Sequence, residues 1–176
     1  MTNEFLLAGF GGQGILFAGK LLAYVGLYAG KEVSWLPSYG PEMRGGTCNC
    51  SVTVSDDPIG SPLILEPTEL LVMNTPSFDK FIGTVKQGGM AFIDSTLVDG
   101  KSDRTDIKCF YIPATQLAND NGLKGMANII LTGKILKEIG LDDMEVIEKA
   151  IKKVIPPKKA NLTEANLKAL KLGMEA

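Results

Sequence analysis

Apolar residues in this chain fall into two kinds of run, and their alternation predicts the fold. Glu4-Phe5-Leu6-Leu7-Ala8-Gly9 is short and continuously apolar, the pattern of a strand buried on both faces of a parallel sheet. Gly11, Gly12 and Gly14 break it. Ile15, Ala18, Leu22, Val25 and Ala29 then recur at helical spacing, with Gly30 where a C-terminal cap glycine belongs. Lys31-Glu32-Val33-Ser34-Trp35-Leu36 reads as a second strand, so the chain opens on a βαβ unit. Further strands are predicted over Thr47 to Ser55, Glu69 to Asn74, Met90 to Asp94 and Ile107 to Ile112. A helix is predicted from Thr75 to about Val85, with Pro76 in its first turn.

The remaining third reads as helical. Gly125 to Ile139 is amphipathic and ends at Gly140. Met144 to Val154 follows Asp142-Asp143, acids placed where the helix macrodipole favours them, and Pro156-Pro157 stops it. A last helix runs from Thr163 to near Gly173. No internal repeat or low-complexity tract interrupts the chain. The pattern predicts one α/β domain over residues 1–176: a Rossmann-like, mostly parallel sheet, a glycine-rich first βα turn and a helical C-terminal third.

Composition narrows the chemistry. The 176 residues include no His, which removes the commonest general base near neutral pH and the commonest metal ligand. A Ser-His-Asp triad, a Cys-His pair and a His-based zinc site are impossible within this chain. Three Cys fall short of the four thiolates of a cysteine-ligated iron–sulfur cluster. Their odd number suggests reduced thiols and a cytoplasmic protein. Lys plus Arg number 18 against 20 Asp plus Glu, a net charge of −2, so no bulk basic footprint for nucleic acid exists. No apolar run reaches the ~18 residues of a membrane span. Phe5 to Phe10, with no basic segment before it, reads as a strand rather than a signal peptide.

Two segments carry candidate chemistry. Gly9-Phe10-Gly11-Gly12-Gln13-Gly14 matches G-x-G-x-x-G between a strand and a helix, where backbone N–H groups at the helix start can receive an anion. The alternative is a turn needed only for close strand–helix packing. A nicotinamide dinucleotide would call for an acid ending the second strand, about 20 residues on. That strand ends in Trp35-Leu36-Pro37, with Glu32 at its start and Glu42 out in the loop. Another phosphate-bearing ligand, or none, is favoured over NAD. The second segment, Ser38-Tyr39-Gly40-Pro41-Glu42-Met43-Arg44-Gly45-Gly46, lies in a ten-residue loop from Pro37 to Gly46, long enough to suggest function. If its strand is parallel to the first, the loop shares an edge with the glycine turn. Arg44 could then clamp a phosphate or carboxylate as a bidentate fork, or merely pair with Glu42 at the surface.

Other residues read more simply. Cys48 and Cys50 stand two apart on a strand and share a face. A redox or metal pair is conceivable, but two small buried core residues are favoured. Ile129, Ile130, Leu131 and Ile135 form a core stripe. Lys152-Lys153 and Lys158-Lys159 form a solvated face or a basic anion patch.

Together the two glycine-rich segments make the chain resemble the gamma subunit of 2-oxoacid:ferredoxin oxidoreductases, most closely the 2-oxoglutarate type. The resemblance begins with Gly9 to Gly14 and its Gly12-Gln13-Gly14. It continues through Ser38-Tyr39-Gly40-Pro41-Glu42 with Arg44-Gly45-Gly46, its most specific motif, and through Asn74-Thr75-Pro76-Ser77-Phe78-Asp79-Lys80-Phe81. Met126-Ala127-Asn128, Thr132-Gly133, Asn161 and Asn166 extend it over nearly the whole chain. Cys48-Asn49-Cys50 departs from it and takes no role from it.

The resemblance implies a multi-subunit enzyme that decarboxylates a 2-oxoacid with thiamine diphosphate. Electrons would pass through iron–sulfur clusters to ferredoxin, and the acyl group to coenzyme A. This chain has no Gly-Asp-Gly thiamine diphosphate motif and no cluster ligands. Those groups would sit on alpha, beta and ferredoxin-like delta subunits. The chain itself would contribute no catalytic residue. It would offer Gly9, Gly11, Gly12, Gln13 and Gly14, with Ser38, Tyr39, Gly40, Pro41, Glu42, Arg44, Gly45 and Gly46, against coenzyme A or the active-site entrance. The competing readings are a stand-alone NAD(P)- or FAD-dependent reductase and a non-catalytic adaptor subunit. An acyltransferase acting alone is a weaker third, because no nucleophile–base pair is evident.

Overall fold

A computed structural model describes residues 1–38 and 47–176. The strands are β1 (Thr2–Phe10), β2 (Glu32–Ser38), β3 (Thr47–Ser55), β4 (Glu69–Val72), β5 (Met90–Asp94) and β6 (Lys108–Ile112). The helices are α1 (Ile15–Tyr28), α2 (Thr75–Phe81), α3 (Ala114–Asp120), α4 (Ala127–Glu138), α5 (Met144–Val154) and α6 (Thr163–Glu175). Short 3-10 turns occupy Ile82–Thr84 and Pro157–Leu162.

The six strands form one sheet in the order β2-β3-β1-β4-β5-β6. β1 pairs parallel with β4, β4 with β5, and β5 with β6. β3 runs antiparallel to both β1 and β2, so it alone opposes the other five. β2 therefore runs parallel to β1, as expected, but β3 lies between them. The opening unit is a crossover with a strand inserted into it. β2 also extends two residues further than expected, with Pro37 opposite Cys50 and Ser38 opposite Asn49. An edge strand tolerates Pro because an N–H on its open side needs no partner.

Alternation along β1 divides the core between the two faces of the sheet. Phe5 and Leu7 join a large cluster with α1, α4, α5 and α6. Leu6 and Ala8 join a smaller one with Phe78 of α2, Val85 and Val98. α1 and α2 thus cover opposite faces. Cys48 and Cys50 are buried in the large cluster with Val52 and Val54, as the core reading expects.

Local chemistry explains the helix ends. Asn74 Oδ1 accepts from the Ser77 N–H at 2.8 Å and caps α2, which Pro76 helps to start. That helix is shorter than expected: after Phe81 it tightens into the 3-10 turn. Asp143 caps α5 through the Glu145 N–H at 2.9 Å. α3 was not anticipated, because seven residues behind Pro113 show too little periodicity. The C-terminal helices approach unusually closely. A Cβ on Gly133 would lie 2.1 Å from the Leu170 carbonyl oxygen, and one on Gly173 would lie 1.8 Å from that of Ile130. Among the described residues, no helix is long and apolar enough to cross a membrane.

Candidate functional site

The first βα turn is built around Gln13. Its backbone N–H donates to the Phe10 carbonyl at 3.2 Å. Its side-chain Oε1 accepts from the Phe10 N–H at 2.6 Å, and its Nε2 donates to the Met73 carbonyl at 2.9 Å. One glutamine therefore closes the turn and ties it to the chain leaving β4. Gly9 makes room for this, since a Cβ there would stand 2.6 Å from Gln13 Oε1. Gly12 and Gly14 adopt φ of +95° and +74°, a region that strains any side-chain-bearing residue.

Gly14 caps α1 with no side-chain hydrogen bond, and no acid lies in that helix's first turn. Among the described residues, no side chain caps the positive end of the helix dipole, the condition under which a helix start receives an anion. Asn128 locks the turn from the other side. Its Nδ2 donates to the Gly14 carbonyl at 2.9 Å, and a Cβ on Gly14 would fall 2.4 Å from that nitrogen.

Topology brings further groups to this edge. The carboxyl ends of β1, β4, β5 and β6 lie side by side, because those strands are parallel. α1 and α2 leave β1 and β4 toward opposite faces, which makes the gap between these strands the topological switch point where such sheets bind ligands. A crevice of about 190 Å³ opens there, lined by Gly12, Gln13, Met73, Leu97 and Thr115 among others. Asp94 ends β5 fully buried. Its carboxylate accepts from the Thr96 N–H at 3.1 Å and from the Thr115 N–H and hydroxyl at 3.3 and 2.6 Å. It anchors α3 to the sheet. Sequence reasoning gave Asp94 no role and quoted Asn74 only as part of the resemblance; the signal was a polar residue at the end of a buried apolar run, followed by Ser or Thr.

Ser38 closes β2 and Thr47 opens β3 opposite Phe10. The second candidate segment thus leaves and re-enters the sheet at the edge of the glycine turn. Tyr39, Gly40, Pro41, Glu42, Arg44, Gly45 and Gly46 lie outside the described residues. Glu32 sits at the far end of β2, opposite Ser55, itself opposite Thr2, and cannot serve a ribose at the glycine turn. The cysteines offer no nucleophile here. Burial pushes the Cys50 thiol up to about 12, and its Sγ donates to the Ile15 carbonyl at 3.7 Å.

A doubly wound sheet with an uncapped, acid-free glycine turn at its switch point defines a Rossmann-like domain suited to an anionic ligand. The profile of the family described as pyruvate ferredoxin/flavodoxin oxidoreductase matches residues 4–176, and the chain belongs to that family. It is 36% identical over 178 residues to the 2-oxoglutarate synthase subunit KorC of Methanocaldococcus jannaschii, covering 99% of this chain and 94% of the relative. It is also 36% identical over 171 residues to the ketoisovalerate oxidoreductase subunit VorA of Methanothermobacter marburgensis, covering 96% of this chain and 35% of that protein. The chain thus spans about a third of the length of the VorA relatives. Among solved structures, the gamma subunit of a keto/oxoacid ferredoxin oxidoreductase from Geobacter sulfurreducens superposes with a TM-score of 0.85 at 29% identity, covering 99% of this chain and 95% of that one.

Proposed function

We propose that this chain is the gamma-type subunit of a 2-oxoacid:ferredoxin oxidoreductase, acting in the cytoplasm on a 2-oxoacid of the 2-oxoglutarate kind. The single observation that carries the reading is the family match over residues 4–176. In the assembled enzyme a 2-oxoacid is oxidatively decarboxylated to an acyl-CoA and the electrons go to ferredoxin. Thiamine diphosphate supplies the decarboxylation chemistry and iron–sulfur clusters carry the electrons, both on alpha, beta and delta-type partners. This assignment agrees with the chain's own residues. It has no His and three Cys, two of them buried under α1, and so no ligand set for a cluster.

The chain's own contribution is an anion-receiving edge. Gly11 to Gly14 present the start of α1, and Gln13 holds it fixed against β4. Arg44, on the segment joined to the same edge, clamps a phosphate of coenzyme A, which carries three. In the assembled enzyme, Arg44→Ala raises the KM for coenzyme A about 10–100-fold with kcat little changed, the loss of one charge-assisted fork. Unchanged coenzyme A kinetics with failed assembly would make the segment an interface element instead. The prior test is anaerobic co-purification. Larger subunits carrying iron, sulfide and thiamine diphosphate support the reading. A lone chain that binds NAD(P) or FAD sinks it.

A further inference from the structure

Charge is unevenly shared along this chain. Residues 149–171 carry seven Lys and one Glu, and the rest of the chain carries 11 Lys plus Arg against 19 Asp plus Glu. A net charge of −2 therefore joins a +6 stretch to a −8 remainder. The basic stretch comprises the second half of α5, the Pro157–Leu162 turn and most of α6. Burial there follows helical spacing. Ile147, Ala150, Ile151 and Val154 of α5 face the core, as do Asn166, Ala169 and Leu170 of α6, which leaves all seven lysines exposed.

The two helices present one basic face. α5 and α6 touch, and Lys171 bears on the Glu148 carboxylate with which Lys152 pairs at 2.6 Å. Of the seven lysines, only Lys152 has an ion-pair partner among the described residues. Beside α6 the face opens into a groove of about 570 Å³, walled by Lys168, Lys171 and Asn121-Gly122, with Glu164 its one acid. Lys168 Nζ donates to the Asn121 carbonyl at 3.3 Å, which holds one ammonium at the groove. Lysines gathered on one face repel one another, and a negative surface brought from outside relieves that repulsion.

The face narrows the kind of partner. Residues 149–171 include no Phe, Tyr or Trp to stack on a base, and the −8 remainder repels an extended polyanion. None of the exposed large apolar residues falls in this stretch. The face therefore has no wedge for a membrane and lacks the apolar centre of a permanent subunit interface. What fits is a folded acidic protein held briefly and by charge, the kind of contact that electron-transfer partners make. We propose that the α5–α6 face collects the acidic protein that carries electrons away from the assembled enzyme. The inference rests on the proposed oxidoreductase function, which supplies such a carrier in ferredoxin. The electron itself passes from a partner subunit's cluster to the carrier. The lysines of this chain steer the carrier on its approach, since their field reaches about 8 Å through physiological salt without contact.

Steady-state reduction of an acidic ferredoxin by the assembled enzyme tests it, beside reduction of saturating methyl viologen, a small acceptor that needs no docking face. Lys153→Glu and Lys171→Glu should each raise the KM for ferredoxin about 3–10-fold, with kcat and the viologen rate unchanged. The double variant Lys153→Arg, Lys171→Arg should match the parent. The parent's kcat/KM for ferredoxin should fall as salt rises, and the double reversal to Glu should flatten that dependence. Lys86→Glu, which reverses an exposed lysine before β5, is the control. Ferredoxin kinetics unmoved by both reversals, or moved as far by Lys86→Glu, overturn the inference while viologen activity still upholds the oxidoreductase reading. Reversed variants that no longer assemble overturn it too, because the face would then be a fixed interface. An assembled enzyme that reduces viologen with no 2-oxoacid strikes down the function, and this inference with it.

Discussion

Replacing Gly173 with Ala tests whether α4 and α6 meet backbone to backbone. The added Cβ would stand 1.8 Å from the Ile130 carbonyl oxygen and 2.7 Å from its carbon. Ordinary contact begins near 3.4 Å, so α6 would have to retreat by about 1.6 Å, and no side chain can swing aside to spare it. The retreat would loosen Ala169 and Leu170 of α6 from Ile130 of α4, all three now fully buried. Overpacking alone costs about 1–3 kcal/mol, and partial exposure of Leu170 adds up to about 2 kcal/mol. A loss of roughly 1–5 kcal/mol follows, or a fall in Tm on the order of 10 °C for a chain of this size. Thermal unfolding followed by circular dichroism reads it, with Gly60→Ala as control, since a Cβ there meets nothing within 4 Å. A Gly173→Ala variant melting within about 2 °C of the parent would refute the close approach.

Two further perturbations address groups away from that interface. Glu69 is 3% exposed, and burial pushes its carboxyl upward despite hydrogen bonds from Thr68 Oγ1 and from Asn3 Nδ2 at 2.9 Å. Its folded form therefore holds a proton more firmly than the unfolded chain does. The stability this supplies is full below the ordinary glutamate range and is lost as pH rises through the raised value. Glu69→Gln should flatten that part of the stability–pH curve, measured by denaturant unfolding from acid to neutral pH; parallel curves for parent and variant would reject the assignment. Native thiol labelling should leave Cys50 unmodified, because its thiol is buried and its pKa is pushed up to about 12. Cys109 is half-buried and should react first. Labelling of Cys50 at the rate of Cys109, read by peptide mass mapping, would contradict the packing of β3 under α1.

Periodicity made most elements legible before any coordinates. Phe5 to Ala8 of β1 and Ala91 to Ile93 of β5 are continuously apolar because both sheet faces are covered there, and α5 shows an apolar stripe because only one of its faces is. Strand order was not legible. Nothing near Thr47 to Ser55 says that β3 inserts between β1 and β2, since its partners are set by pairings up to 53 residues away, such as Thr2 with Ser55. The glycine turn was visible as a motif, but the work of Gln13 was not, because its second partner, Met73, is 60 residues distant. The contact of Asn128 with Gly14 spans 114 residues and leaves no local trace. α3 failed for a different reason: two helical turns carry too little periodicity to stand above a loop.

The Gln13 bridge has a thermodynamic side. A glycine-rich loop is the segment with the most freedom to lose when a ligand arrives. Here that freedom is already gone, because one side chain holds both the Phe10 N–H and the Met73 carbonyl. The N–H groups at the start of α1 stand aimed before anything binds. An anion arriving there would not have to order them, and the interaction it made would appear almost undiminished in the binding constant.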